Sequence, residues 1–151
     1  MQNKIEFVPY DVDFLVKSLK WLNEPEIKQL TLTPDFNQED QKKWFDSLPQ
    51  KTDYFIWGIR YETEAIGVCG MKNVTEIDAE YWGYIGEKAH WNKGIGTFML
   101  DFIFQEAKNK HLKEVYLKVW KDNQRAIKLY SKYGFEKFKQ DQELFYFKKS
   151  T

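Results

Sequence analysis

Cysteine is almost missing from this chain of 151 residues: Cys69 stands alone. No disulfide can therefore close within it, and no thiol pair is available to hold a metal. Histidine is nearly as scarce, with only His90 and His111, which leaves no His/Cys spacing of the kind a metal site needs. A surplus of either charge is absent too, because 23 basic side chains balance 23 acidic ones. That balance argues against a general binder of nucleic acid or anionic membrane, which needs an excess of Lys and Arg. No apolar run approaches the ~20 residues of a membrane-spanning helix, and Met1 to Glu6 lacks the apolar core of a signal segment. Proline and glycine are too thinly spread to form a linker, and no repeat or low-complexity tract interrupts the chain. The expectation is one domain over residues 1–151, in the cytoplasm.

Aromatic residues are abundant instead, at 18% of the chain, and most should fill a core between sheet and helices. Ile5 to Pro9 reads as a short strand, and Asp11 to Leu22 as an amphipathic helix with Phe14, Leu15, Leu19 and Leu22 at helical spacing. Asn23-Glu24-Pro25 breaks that helix, and a short one runs on to Leu30. Asn37 is placed to cap another helix, with Asp40 three residues on and Trp44, Phe45 and Leu48 as its apolar face. Three strands follow: Tyr54 to Arg60, Ala65 to Lys72 and Ala79 to Gly86. A helix from Gly96 to about Asn109, a strand at Val115–Trp120, a helix at Gln124–Lys132 and a closing hairpin about Gln140–Gln142 complete the order. Such an order makes a mixed α/β sheet with helices on both faces.

The stretch from Asn92 to Phe135 carries the chemistry. Asn92-Lys93-Gly94-Ile95-Gly96-Thr97 opens a helix, and the first N–H groups of a helix have no internal partner and lie at its positive end. A diphosphate can use those donors without an arginine cluster. Two better-known phosphate loops are excluded: Met99 stands where the dinucleotide fingerprint needs its third glycine, and Lys93 precedes Gly94 where a P-loop lysine follows its glycine.

The order of elements and two motifs resemble the GNAT superfamily of N-acetyltransferases. The loop pattern of that family, Gln/Arg-x-x-Gly-x-Gly/Ala, corresponds to Trp91-Asn92-Lys93-Gly94-Ile95-Gly96, with Trp91 in place of the polar first residue. The later pattern, Asn-x-x-Ala-x-x-x-Tyr-x-x-x-Gly-Phe, is met at Asn123, Ala126, Tyr130, Gly134 and Phe135. Trp21–Ile27, the segment around Trp44 and Ile85–Gly96 look like the branch containing ribosomal-protein, polyamine and nucleotide-sugar acetyltransferases. The short chain and closing hairpin are similar to enzymes that acetylate the 4-amino group of a nucleotide-linked deoxy-aminosugar.

The resemblance implies a seven-stranded, mostly antiparallel sheet that splays between its fourth and fifth strands, and acetyl-CoA as the acetyl donor. The pantetheine arm would enter the splay, bonded by main-chain groups near Tyr84, Ile85 and Gly86, one of whose N–H groups would serve the oxyanion. Trp91 to Thr97 would hold the diphosphate, and Asn123 would hydrogen-bond the arm. Tyr130 would be the general acid, since a phenol keeps its proton at neutral pH. Glu80, at the start of the strand leading to the acyl site, would be the base, with Glu87 and His90 as weaker candidates. Cys69 lies in an apolar strand and reads as core, so transfer should be direct. The acceptor should be a small-molecule amine met by Trp21, Glu24, Trp44 and Trp82, with Trp57 a further stacking candidate and the Gln140–Gln142 turn close by. A protein N-terminus, polyamine, aminoglycoside or aminoacyl-tRNA is the alternative acceptor, and a non-catalytic acyl-CoA binder is the alternative of another class. Family members often dimerise, and Phe145-Tyr146-Phe147 would suit a homodimer contact or the core equally.

Overall fold

A computed structural model describes residues 4–151; the N-terminal segment that lacks a signal core begins with residues 1–3, which lie outside the described residues. Seven strands form one sheet: β1 (Ile5–Pro9), β2 (Phe55–Tyr61), β3 (Glu64–Lys72), β4 (Asp78–Ile85), β5 (Glu114–Trp120), β6 (Glu136–Gln140) and β7 (Leu144–Ser150). Their spatial order is β1-β2-β3-β4-β5-β7-β6. Every neighbouring pair is antiparallel except β4 and β5, which run parallel. Five α-helices cover the sheet: α1 (Val12–Asn23), α2 (Pro25–Thr31), α3 (Gln38–Ser47), α4 (Ile95–Asn109) and α5 (Gln124–Tyr133).

Local signals account for most of these boundaries. Asp11 caps α1, its carboxylate accepting from Phe14 N–H at 3.3 Å. Asn37 and Asp40 form the full reciprocal capping box of α3. The chain crosses from β2 to β3 through Glu62 and Thr63, both at positive φ. Gly134 ends α5 in the left-handed region, at φ 110°.

The core lies in two layers, one on each face of the sheet. On one face α4 packs Met99, Leu100, Ile103 and Ala107 against Ile59, Met71, Ala79, Tyr81, Val115 and Leu117, and α5 adds the partly buried Ala126, Leu129 and Tyr130. On the other, Phe14 and Trp21 of α1 pack with Ala65 and Val68, and Trp82 and Tyr84 lie against them. β3 is buried from Ala65 to Met71 because both layers meet on it. The aromatics of the last strand divide between faces: Phe147 is buried and Phe145 packs on the α4 layer, while Tyr146 turns the other way, to Lys118 and Lys139.

One irregularity positions the functional groups. β4 and β5 pair only at Asp78–Glu114, Ala79–Val115 and Glu80–Tyr116. Beyond that point β4 runs on to Ile85 and β5 to Trp120 without pairing. The sheet therefore contains the expected splay, a gap between its fourth and fifth strands that opens just past Glu80.

Candidate active site

The glycine loop stands beyond the far end of β4. Asn92 and Gly94 both take positive φ, 63° and 76°, and the double reversal aims the chain into α4. Gly94 is the N-cap of α4 and supplies no side-chain cap. The first-turn N–H groups thus keep their donor capacity at the positive end of a helix of 15 residues. A Cβ at Gly94 would meet nothing within 4 Å, so the loop's outer side is open. Gly96 serves packing instead, since a Cβ there would lie 2.6 Å from Leu129 Cδ2 of α5. One glycine shapes the turn, and the other lets two helices meet. Lys93 points away from this helix end, over the Tyr61 ring at 5.1 Å and toward His90 Nδ1 at 3.3 Å, and Thr97 is exposed.

The gap itself is lined by main chain. Gly86 N–H is committed to β3, donating to Ile66 O at 2.7 Å. The alternation of an antiparallel ladder then turns the N–H and C=O of Gly83 and Ile85 away from β3, toward the gap. Of the expected run Tyr84, Ile85 and Gly86, Ile85 is the one so aimed, and Gly83 joins it. The Trp91 indole donates to Ile85 O at 2.9 Å, fixing the mouth of the gap to the phosphate loop. Arg125 and Lys88 lie over the Trp91 ring at 4.7 and 5.6 Å. A thioester carried on a long amide-containing arm with a diphosphate tail fits these features: donors at a helix end, an unpaired strand edge, and an open outer side of the loop.

Tyr130 lies on the α4–α5 face of the gap. Its ring meets Tyr81 edge-on at 6.3 Å, Phe135 at 5.7 Å and Phe147 at 6.4 Å. Burial pushes its phenol up to about 12, and its hydroxyl has no hydrogen-bond partner among the described residues. Tyr81 is buried beside it, and a Cβ at Gly83 would lie 2.8 Å from the Tyr81 hydroxyl. Two protonated phenols therefore stand on one side of the gap.

Glu80 stands on the other side. Strand alternation sends Ala79 and Tyr81 into the α4 layer and Glu80, Trp82 and Tyr84 to the α1 face. Glu80 is only 4% exposed and accepts from Asn73 Nδ2 at 3.1 Å. Lys72 and Lys118 each place an ammonium 3.9 Å from its carboxylate. A cavity of about 450 Å³ opens there, lined also by Lys51, Asp53 and Tyr54.

The other expected residues are placed as follows. Asn123 caps α5 by accepting from Ala126 N–H at 3.3 Å, and its amide donates to Leu30 O at 3.4 Å. Both ends of its side chain are thus engaged, and it ties α5 to α2. Trp21 is 3% exposed; it donates to Glu87 at 3.0 Å and its ring fills the space a Cβ would need at Gly86, 2.1 Å away. Glu24 caps α2 at Ile27 N–H, 2.9 Å, and with Glu26 it grips Lys88 at 2.8 and 2.9 Å. Trp44, Tyr54 and Trp82 form an aromatic row on the α1 face, with ring separations of 6.3 and 6.1 Å. The Trp82 indole N–H is buried without a partner among the described residues. Trp57 belongs to the opposite face, edge-on to Phe102 at 5.0 Å. His90 pairs with Glu64 at 3.1 Å, away from the Glu80 cavity. Cys69 is fully buried, and burial pushes its thiol well up. A second cleft, about 560 Å³, is lined by Asn23, Pro25, Lys28, Leu32 and Glu143 among others, joining the α1–α2 corner to the β6–β7 turn.

Lys72, Lys118 and Tyr81 escaped the sequence reading. Lys72 faces Glu80 across the β3–β4 register, and Lys118 stands two residues past Tyr116, Glu80's partner on β5. The alternation of β4 carried a signal for Tyr81; the lysines gave none short of knowing which strands are neighbours.

Known proteins share this arrangement of elements. Residues 19–135 match the acetyltransferase (GNAT) family. The acetyltransferase PseH of Campylobacter jejuni is 26% identical over 128 residues, covering 84% of this chain and 80% of that protein. Its crystal structure in complex with acetyl coenzyme A aligns over 97% of this chain and 99% of that one, at 18% identity and a TM-score of 0.75. The spermidine N-acetyltransferase of Vibrio cholerae, solved with CoA and spermine, aligns over 98% and 96% at 14% identity and a TM-score of 0.86. These two structural likenesses establish the shared fold, and the family match extends over most of the sequence, including both motifs. The chain belongs to the acetyltransferase (GNAT) family.

Proposed function

We propose that this acetyltransferase moves the acetyl group of acetyl-CoA directly to a primary amine of a nucleotide-linked aminosugar, as one cytoplasmic domain acting on a small molecule. The observation that carries the reading is the gap past Glu80 and Tyr116, with a helix N-terminus beyond one end and Glu80 and Tyr130 on its opposite faces. Acetyl-CoA supplies an activated acyl thioester.

The main-chain donors of Asn92 to Thr97 and the start of α4 bind the diphosphate. The N–H groups of Gly83 and Ile85 orient an amide-containing chain along the gap, and Trp91 holds Ile85 in place. Glu80 Oε1 or Oε2 accepts the proton of the incoming amine, directly or through water. Tyr130 Oη holds a proton at neutral pH and releases it to a departing thiolate. Asn123 acts as a positioning residue, because its amide fixes the start of the helix that carries Tyr130. Cys69 is sealed in the core, which supports transfer without an acyl-enzyme. The aminosugar acceptor rests on the resemblance of the short chain and its closing hairpin. The likeness to a spermidine acetyltransferase makes polyamines the second acceptor class.

The test is CoA release from acetyl-CoA against nucleotide-linked aminosugars, free aminosugars, polyamines and N-terminal peptides, with Tyr130→Phe alongside. One class should turn over, and the variant should lose about 10²-fold in kcat while its Kd for CoA stays within about twofold. Undiminished turnover in Tyr130→Phe would remove the phenol from its role. CoA binding with no turnover on any amine would favour a non-catalytic acyl-CoA binder.

A further inference from the structure

We propose that the cavity over Glu80 is a phosphate-reading subsite, so that the acceptor is an amine carrying a phosphate ester or diphosphate. This rests on the acetyl-transfer reading and adds to it the residues that select the acceptor.

The cavity holds three ammonium groups, Lys51, Lys72 and Lys118, against two carboxylates, Asp53 and Glu80. One positive charge is left over in a partly enclosed space. The distances show which donors are unspent. Lys72 and Lys118 stand 3.9 Å from Glu80, beyond hydrogen-bonding range, so neither has committed its N–H groups to that carboxylate. Lys51 pairs with no carboxylate among the described residues and instead sits 5.0 Å over the ring of Tyr54, another lining residue. Glu80 is the buried carboxylate of the lining and has its neutral donor in Asn73.

Charge then decides between acceptor classes. A polyamine brings further cations to a place already cationic, and like charges brought together in a partly desolvated cavity repel. A phosphate accepts three charge-assisted hydrogen bonds at once, and bound there it holds a neighbouring amine against Glu80. Lys118 extends the same chemistry outward, since its ammonium also lies 6.0 Å over Tyr146 of the closing hairpin.

The experiment has two independent arms. In the first, UDP and inorganic phosphate are titrated calorimetrically into the protein without acetyl-CoA, at low and high salt. UDP should bind, more weakly as salt rises, and Lys51→Gln should weaken it about tenfold with the Kd for CoA unchanged. UDP that fails to bind, or binds Lys51→Gln as well as the parent, overturns the subsite whether or not the protein transfers acetyl groups. In the second arm, matched acceptors are compared: a free aminosugar, its 1-phosphate and its UDP-linked form, with spermidine as the cationic control. The phosphate-bearing forms should be preferred at least tenfold in kcat/KM, and Lys51→Gln should raise their KM about tenfold with kcat within twofold. Preference already complete at the 1-phosphate assigns the site to a sugar phosphate, and preference only for the UDP form to a nucleotide. Equal use of free aminosugar or spermidine, indifferent to Lys51→Gln, overturns the proposal while leaving acetyl transfer intact. Lys118→Gln provides the second variant, with thermal melting to confirm that each folds.

Discussion

Tyr130 shows how little chemistry a single side chain needs when its surroundings do the tuning. Three aromatic rings pack around it, and burial raises its pKa to about 12. Burial disfavours the charged form, hence the neutral phenol persists from pH 7 to about 10, and an acid with that pKa gives no alkaline decline in kcat over the range. The linkage has the same sign: the group contributes stability below its unfolded pKa near 10, and that contribution is lost as pH rises through 12. A kcat profile from pH 7 to 10 should therefore show no descending limb that Tyr130→Phe removes, and an ultraviolet difference titration should show one fewer late-ionising phenol in the variant. A limb centred near pH 9 that vanishes in Tyr130→Phe would contradict this environment. Glu80 stands in a different setting, beside two ammonium groups and an amide. The two groups proposed to handle protons thus sit in dissimilar surroundings on opposite faces of the sheet.

Between α4 and α5 the deciding contact is Gly96 against Leu129. Because a Cβ at residue 96 would approach Leu129 Cδ2 to 2.6 Å, Gly96→Ala overpacks the seam and should cost about 1–2 kcal/mol in urea unfolding. Leu129→Val should recover part of that cost, with CoA affinity nearly unchanged. A Gly96→Ala protein of full stability that binds CoA tenfold more weakly would show instead that the glycine faces the ligand. The sequence made the existence of most helices plain, because the signals are local: the apolar spacing of α1, Asn37 with Asp40 at the start of α3, and the Tyr133-Gly134 ending of α5. It identified Gly94 and Gly96 as a pair, and the resemblance gave both one role. The division of labour was hidden, since Leu129 comes 33 positions later and no local pattern announces which glycine faces a helix. Asn123 taught the same lesson: its cap to Ala126 follows from spacing, whereas its bond to Leu30 O depends on where α2 comes to rest.

At the scale of the molecule, an interrupted sheet joins two helical layers, and the interruption is where function gathers. The strand order and the splay could be expected from the succession of elements and their resemblance to a family. What could not be expected is the meeting of Lys72, Glu80 and Lys118, which requires the β3–β4 and β4–β5 registers together, or the assignment of Trp57 and Trp82 to opposite faces. The gap also makes a thermodynamic statement. Its two edges, Gly83 and Ile85 on β4 and Leu117 to Trp120 on β5, do not pair with each other, although each strand is paired on its outer side, with β3 and β7 respectively. Unpaired edges of this kind open locally at lower free energy than a complete ladder, and a ligand lying between them supplies what is missing. CoA at 100 times its Kd should add about 2.7 kcal/mol to the stability of the folded state. For a chain of this size that is a rise in Tm of roughly 5–10 °C. Hydrogen exchange should show where it acts, with slower exchange at Gly83, Ile85 and the first turn of α4. The amides of β2, already paired on both sides by β1 and β3, should slow only as far as global stability rises. A comparable rise in Tm with new protection confined to β6 and β7 would place CoA outside the gap, and with it the reaction.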